Sequence, residues 1–124
     1  MLLLVEDEEL IAEVMKLALE DGGYSVVVED PADGGQAAVD RLSEQLSGLI
    51  TDLRLPGKAD GWELARHARE LRSDLPVVYM SADSAADWAA KGVPNSAILQ
   101  KPFAPAQLDN AISTLLVERD QHKF

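Results

Sequence analysis

Short, fully apolar runs alternate along the chain with stretches whose apolar residues recur at helical spacing. Leu2-Leu3-Leu4-Val5 is a continuous apolar run of the kind a strand buried on both faces shows. After the acidic cluster Glu6-Asp7-Glu8-Glu9, the residues Leu10, Val14 and Leu17, with Ile11, Met15 and Ala18 beside them, repeat at the period of a helix that Gly22-Gly23 stops. Tyr24 to Val28 is β-branched and aromatic and predicts a second strand, with Glu29-Asp30 as loop acids. A turn around Pro31-Ala32-Asp33-Gly34 leads to a weaker helix from Gly35 to about Gln45.

The third strand, Leu49-Ile50-Thr51, ends at Asp52, and a loop with Pro56, Gly57 and Gly61 precedes a helix with Leu64, Ala68 and Leu71 inward. Pro76 opens the strand Val77-Val78-Tyr79-Met80, which is followed by an Ala-rich helix over 83–90. The strand Ala97-Ile98-Leu99 comes next. A last helix starts at Pro105, a residue suited to a first helical position although Ala104 is a poor cap, with Leu108, Ile112 and Leu115 inward. Five βα units in series predict an α/β fold with a parallel sheet and helices on both faces.

The chain of 124 residues fits one domain over 1–124, and 47% hydrophobic with 27% charged residues is a folded, not a disordered, balance. Without cysteine there is neither a disulfide nor a thiolate metal site, and a cytoplasmic location is expected. The apolar start lacks a basic flank and is too short for a signal peptide or a membrane span. A net charge of −11 argues against direct nucleic-acid binding. Arg66, Arg69 and Arg72 fall at i, i+3 and i+6 and read as a solvated helix face, while His67 and His122 read as ordinary surface residues.

Ligands of open parallel sheets bind beyond the carboxyl ends of the strands. There the sequence places Glu6 and Asp7 after the first strand, Asp52 after the third, Ser81 after the fourth and Lys101 after the fifth. Three carboxylates in one crevice repel by roughly 1–4 kcal/mol per close pair unless a cation sits among them. All-oxygen ligation suits Mg²⁺ (or Mn²⁺). A metal, a lysine and a hydroxyl around a carboxylate supply the positioning and charge neutralisation that phosphoryl transfer requires, and the carboxylate can itself be the nucleophile.

Five segments resemble those of receiver domains of two-component response regulators, and together they span nearly the whole chain. They are Leu3-Leu4-Val5-Glu6-Asp7-Glu8, Ile50-Thr51-Asp52-Leu53-Arg54-Leu55-Pro56-Gly57, Asp60-Gly61-Trp62-Glu63-Leu64, Pro76-Val77-Val78-Tyr79-Met80-Ser81-Ala82 and Lys101-Pro102-Phe103. The resemblance implies a flavodoxin-like (βα)5 fold with strand order 2-1-3-4-5, one of the common orders of doubly wound sheets. It implies Asp52 as phosphoacceptor, Asp7 as direct metal ligand, Glu6 as a ligand through water, and the backbone carbonyl of Arg54 as the third protein ligand. Ser81, with Ala82 beside it, corresponds to the switch hydroxyl that meets the phosphoryl group. Lys101 matches the lysine on the phosphoryl oxygens, and the Lys101-Pro102 bond is expected to be cis.

One departure is Ile98, where receivers carry an aromatic residue whose rotation reports phosphorylation, so the relay must run by backbone movement or through other residues; Tyr79 reads as core. Arg54 and Asp83 stand where receivers tune dephosphorylation, and their opposite charges could pair over the site. The implied donor is a histidine kinase or histidine phosphotransfer protein, and output goes by contact with a downstream protein. Trp88 belongs to the face of the fourth helix, fifth strand and fifth helix, where partners or a second copy dock in the family. With no further domain after the last helix, the chain reads as a stand-alone receiver or one cut from a hybrid kinase. A phosphohydrolase is disfavoured because Arg54, not an acid, lies two residues past Asp52. A receiver-like binding module working without phosphorylation is the alternative, which only Ile98 favours.

Overall fold

In the computed structural model, which describes residues 1–30, 34–54, 60–82 and 85–121, five strands form one parallel sheet in the order β2-β1-β3-β4-β5. They are β1 (Leu2–Val5), β2 (Val26–Glu29), β3 (Gly48–Asp52), β4 (Val77–Ser81) and β5 (Ser96–Gln100). The helices are α1 (Glu9–Asp21), α2 (Gly35–Leu42), α3 (Gly61–Leu71), α4 (Trp88–Lys91), which follows a 3-10 turn at Ala85–Asp87, and α5 (Pro105–Gln121). The expected architecture and strand order are those observed.

β1, β3 and β4 are buried along their whole length, as continuous apolar runs require when helices cover both faces. Because side chains alternate, the sheet divides two cores. Leu3, Val5, Leu49, Val77 and Tyr79 pack with Trp62, Leu64 and Ala68 of α3 and Val39 of α2. Leu2, Leu4, Ile50, Val78 and Met80 pack with Met15 and Leu19 of α1 and Leu108, Ile112 and Leu115 of α5. The edge strands are more open, with Val28 of β2 exposed and β5 half-buried.

Several local expectations are corrected. In α1 the residues facing the sheet are Ala12, Met15 and Leu19, whereas Leu10 is 80% exposed and Val14 and Leu17 are 55% and 56% exposed. The helix carries two apolar stripes, and only its contact with β1 and α5 selects the buried one. Leu71, the last residue of α3, is exposed because a helix end has neighbours on one side only. The second strand begins at Val26, not Tyr24, and includes Glu29; Tyr24 instead bonds through its hydroxyl to Ser113 of α5, 2.6 Å away.

The arginines are not a solvated stripe. Arg69 donates to the carbonyls of Leu75, Pro94 and Asn95, and Arg72, beyond the end of α3, donates to those of Ser43 and Leu46. Each guanidinium thereby closes loops that lack strand partners. His67 is not isolated but pairs with Asp40 of α2, while His122 lies outside the described residues. The missing cap at Ala104 is offset by Gln107, whose side chain accepts the Ala104 N–H at 2.7 Å, the reaching-back half of a capping box. Among the described residues, no helix is long and apolar enough to cross a membrane.

Candidate phosphoacceptor and metal site

Parallel strands bring all their carboxyl ends to one edge, and that edge gathers residues far apart in sequence. Val5 pairs with Thr51, Asp52 with Met80, and Ser81 with Gln100. Glu6, Asp52, Ser81 and Lys101 therefore lie beside one another, one step past or at the ends of neighbouring strands. The start of α3 can lie so close to the end of β3 because residue 61 is glycine. A Cβ there would sit 2.4 Å from the Asp52 carbonyl oxygen, so α3 starts directly against the strand end. Asp60 caps that helix by accepting the Glu63 N–H at 2.9 Å. Gly61→Ala should cost roughly 1–3 kcal/mol of stability, as other overpacked sites do; thermal unfolding checks it.

The Lys101 ammonium donates to Asp52 Oδ2 at 2.8 Å and to Glu6 Oε2 at 3.3 Å. The Arg54 N–H donates to Asp52 Oδ1 at 3.3 Å, and the Glu8 N–H to Glu6 Oε1 at the same distance. Glu6 and Asp52 are buried and Asp7 is exposed, and one carboxylate oxygen of each lies within 4.8 Å of the others. Ser81 is buried at the end of β4, and its carbonyl accepts the Lys101 N–H at 2.7 Å. The Lys101-Pro102 bond is cis.

Burial pushes the Glu6 carboxyl up; Lys101 pulls it down and the charge of Asp52 adds to the rise, leaving it above the usual glutamate value. Burial works to lower the Lys101 ammonium, but the hydrogen bond and charge of Asp52, then those of Glu6, hold it above the usual lysine value. A native acid with a raised pKa binds its proton at pH values where the unfolded chain has released it, so stability falls as pH rises through that range. In Mg²⁺-free buffer, the thermal midpoint of wild type is expected to drop relative to Glu6→Gln as pH rises from acid to neutral. A difference independent of pH would contradict this.

Of the residues singled out in the sequence, Glu6, Asp7, Asp52, Ser81 and Lys101 come together here. The Arg54 N–H faces Asp52, and Ala82 is exposed at the rim. Asp83, and with it the proposed pairing to Arg54, lies outside the described residues. Sequence reasoning missed an apolar groove of about 650 Å³ beside the site, lined by Leu10, Ile11, Val14 and Phe103 together with Ala82 and Lys101. The exposed second stripe of α1 was its available signal.

The chain of residues 2–113 matches the family model described as the response regulator receiver domain. It is 34% identical over 119 residues to the response regulator receiver protein CpdR of Brucella abortus, covering 94% of this chain and 96% of that one. Several further curated relatives are longer, and the chain spans about half their length. A response regulator receiver protein from Sinorhizobium medicae superposes with a TM-score of 0.86 at 39% identity, covering 95% of this chain and 94% of the other. The receiver domain of a sensor histidine kinase from Pseudomonas aeruginosa, solved with a magnesium ion coordinated in its active-site cleft, superposes with a TM-score of 0.76 at 25% identity, covering 94% and 96%.

Proposed function

The chain belongs to the response regulator receiver family, and from that membership we propose that it is a phosphoacceptor switch that takes a phosphoryl group onto Asp52. The observation that carries the reading is the Lys101 ammonium held between Asp52 and Glu6 within a three-carboxylate cluster. The donor set of that cluster, three hard oxygens within 4.8 Å, fits Mg²⁺ or Mn²⁺. Asp7 and Asp52 would hold the metal directly, Glu6 through water, and the Arg54 carbonyl would complete the protein ligands. When bound, the metal neutralises charge on the phosphoryl oxygens.

An Asp52 carboxylate oxygen attacks phosphorus. The new P–O bond forms as the donor's P–N bond to histidine breaks, and the leaving imidazole nitrogen recovers the electron pair and is protonated. Lys101, no longer paired with a carboxylate charge on Asp52, donates to a phosphoryl oxygen and compensates the negative charge there. The Ser81 hydroxyl and the Ala82 backbone approach the same group. Later hydrolysis of the acyl phosphate resets the switch, so the protein assists its own turnover without acting on an external substrate as a conventional enzyme does. Output is by contact with a downstream protein.

We further assign the donor, a histidine kinase or histidine phosphotransfer protein, to the groove beside the site. Its lining includes Lys101 and Ala82, so a protein seated on Leu10 and Val14 stands at the mouth that its phosphohistidine must enter. Leu10→Glu leaves the core untouched and suits the first turn of α1. It is expected to slow transfer from a phosphorylated histidine phosphotransfer protein by about 10-fold or more, the loss of one hot-spot contact, with uptake from acetyl phosphate unchanged. Equal slowing with both donors would remove the docking assignment.

The reading as a whole is tested by intact mass after incubation with acetyl phosphate, with Mg²⁺ and with chelator. Borohydride reduction of the product should then convert the acceptor aspartate to homoserine and locate it by peptide mapping. A Mg²⁺-dependent gain of one phosphoryl group, mapped to residue 52, is expected. No gain in the presence of Mg²⁺ would replace the phosphoacceptor reading with that of a binding module independent of phosphorylation.

A further inference from the structure

Ile98 lies where an aromatic relay was expected, and its register partner on β4 is Tyr79. Tyr79 is fully buried, and it shares a sheet face with Ser81 two residues on. Its ring stands 4.7 Å, centroid to centroid, from that of Trp62, which directly follows the glycine packed on the Asp52 carbonyl. Its hydroxyl accepts the Val93 N–H at 3.1 Å, in the segment between α4 and β5. The Val93 carbonyl accepts the Ser96 hydroxyl at 2.6 Å, and Ser96 Oγ accepts the Trp88 indole N–H at 2.9 Å. The Trp88 ring lies against Gly92, where a Cβ would meet Cδ1 at 2.4 Å, yet Trp88 is still 36% exposed. A continuous run of packed rings and hydrogen bonds thus links the acceptor end of β3 to an indole on the outer surface of α4.

We infer that Tyr79 is a positioning residue that couples Asp52 to Trp88 through Val93 and Ser96, in the role an aromatic at position 98 would otherwise serve. The coupling rests on the phosphoacceptor reading. Its physical basis is that the rings are packed together and the hydrogen bonds beyond them are short and directional, so a shift of the β4 end or of Trp62 moves the segment that fixes Trp88. A rotating side chain is not needed.

The test uses Trp62→Phe protein, in which a phenyl ring keeps an aromatic beside Tyr79 and Trp88 is the single indole, loaded with acetyl phosphate and Mg²⁺ while intact mass is read from the same sample. Loading is expected to change Trp88 emission, and adding Tyr79→Phe or Ser96→Ala should leave loading complete while reducing that change to less than half. Gly92→Ala, which displaces the indole from outside the run, should do the same. A full emission change in Ser96→Ala and Tyr79→Phe at equal loading would overturn the coupling, as would no change in the parent despite loading. Should Tyr79→Phe fail to fold, Ser96→Ala on the half-buried edge strand decides alone. Absence of any mass gain would instead fell the phosphoacceptor reading, and the coupling with it.

Discussion

Asp52→Asn protein incubated with acetyl phosphate and Mg²⁺ is expected to gain no phosphoryl mass while remaining folded. The amide has nearly the shape of the carboxylate and can still accept the Arg54 N–H that Asp52 Oδ1 accepts at 3.3 Å. What it lacks is a nucleophilic anionic oxygen, so the loss is complete and not partial. It also removes one of three crowded carboxylates, and with it the contribution of Asp52 to the raised Glu6 pKa. Mg²⁺ should consequently bind more weakly, while Lys101 keeps Glu6 as its partner at 3.3 Å. Intact mass, circular dichroism and Mg²⁺ titration separate these effects. Undiminished uptake in a folded variant would move the acceptor to another residue.

The second large effect is expected from Lys101→Met. Methionine preserves much of the apolar stem but leaves Glu6 and Asp52 facing each other without the ammonium that bridges them at 3.3 and 2.8 Å. Phosphoryl uptake should slow by about 10²–10³-fold, the usual effect of deleting one preorganised charge-stabilising donor. Stability should change as well. A lysine with a raised pKa stabilises the fold fully below its unfolded value and loses that stabilisation only as pH rises through the raised native value. Lys101 is therefore at full strength at neutral pH, and Lys101→Met should lower the thermal midpoint there. The deficit should shrink in acid as Glu6, already raised by burial, takes up its proton. A time course of mass gain and unfolding curves at two pH values test both parts; uptake at the wild-type rate would remove Lys101 from the chemistry.

Much of this was legible in residue order. The apolar runs that became β1, β3 and β4 are buried on both faces, and a strand of that kind has few other places to go. Glu6, Asp52 and Ser81 were each visible at the end of such a run, and Lys101 just past the fifth strand; parallel pairing has a single edge at which those ends can meet. The cis bond before Pro102 was expected only through the family resemblance.

Where reading by periodicity went astray, the reason is that period alone does not say what a helix packs on. The spacing of Leu10, Val14 and Leu17 is helical, but α1 buries Met15 and Leu19 and leaves the other stripe exposed, with Leu10 and Val14 beside the site mouth. Arg69 and Arg72 look like any exposed basic residues until α3 is placed near carbonyls 26 to 29 positions away in sequence. Tyr79 reads as core from sequence, and it is core; that its hydroxyl also reaches Val93 depends on how the segment after α4 folds back.

The sequence by itself determined the fold class, the strand order through its family pattern, and the identity of the chemical groups at the strand ends. These follow from local patterning and from residue types, which survive without coordinates. Tertiary structure alone decided which stripe of α1 faces outward, that Lys101 bridges Glu6 and Asp52, and that Trp62, Tyr79 and Trp88 are joined in one run. Each of those depends on distances of a few ångströms between residues remote in the chain, set by side-chain packing that no periodicity encodes.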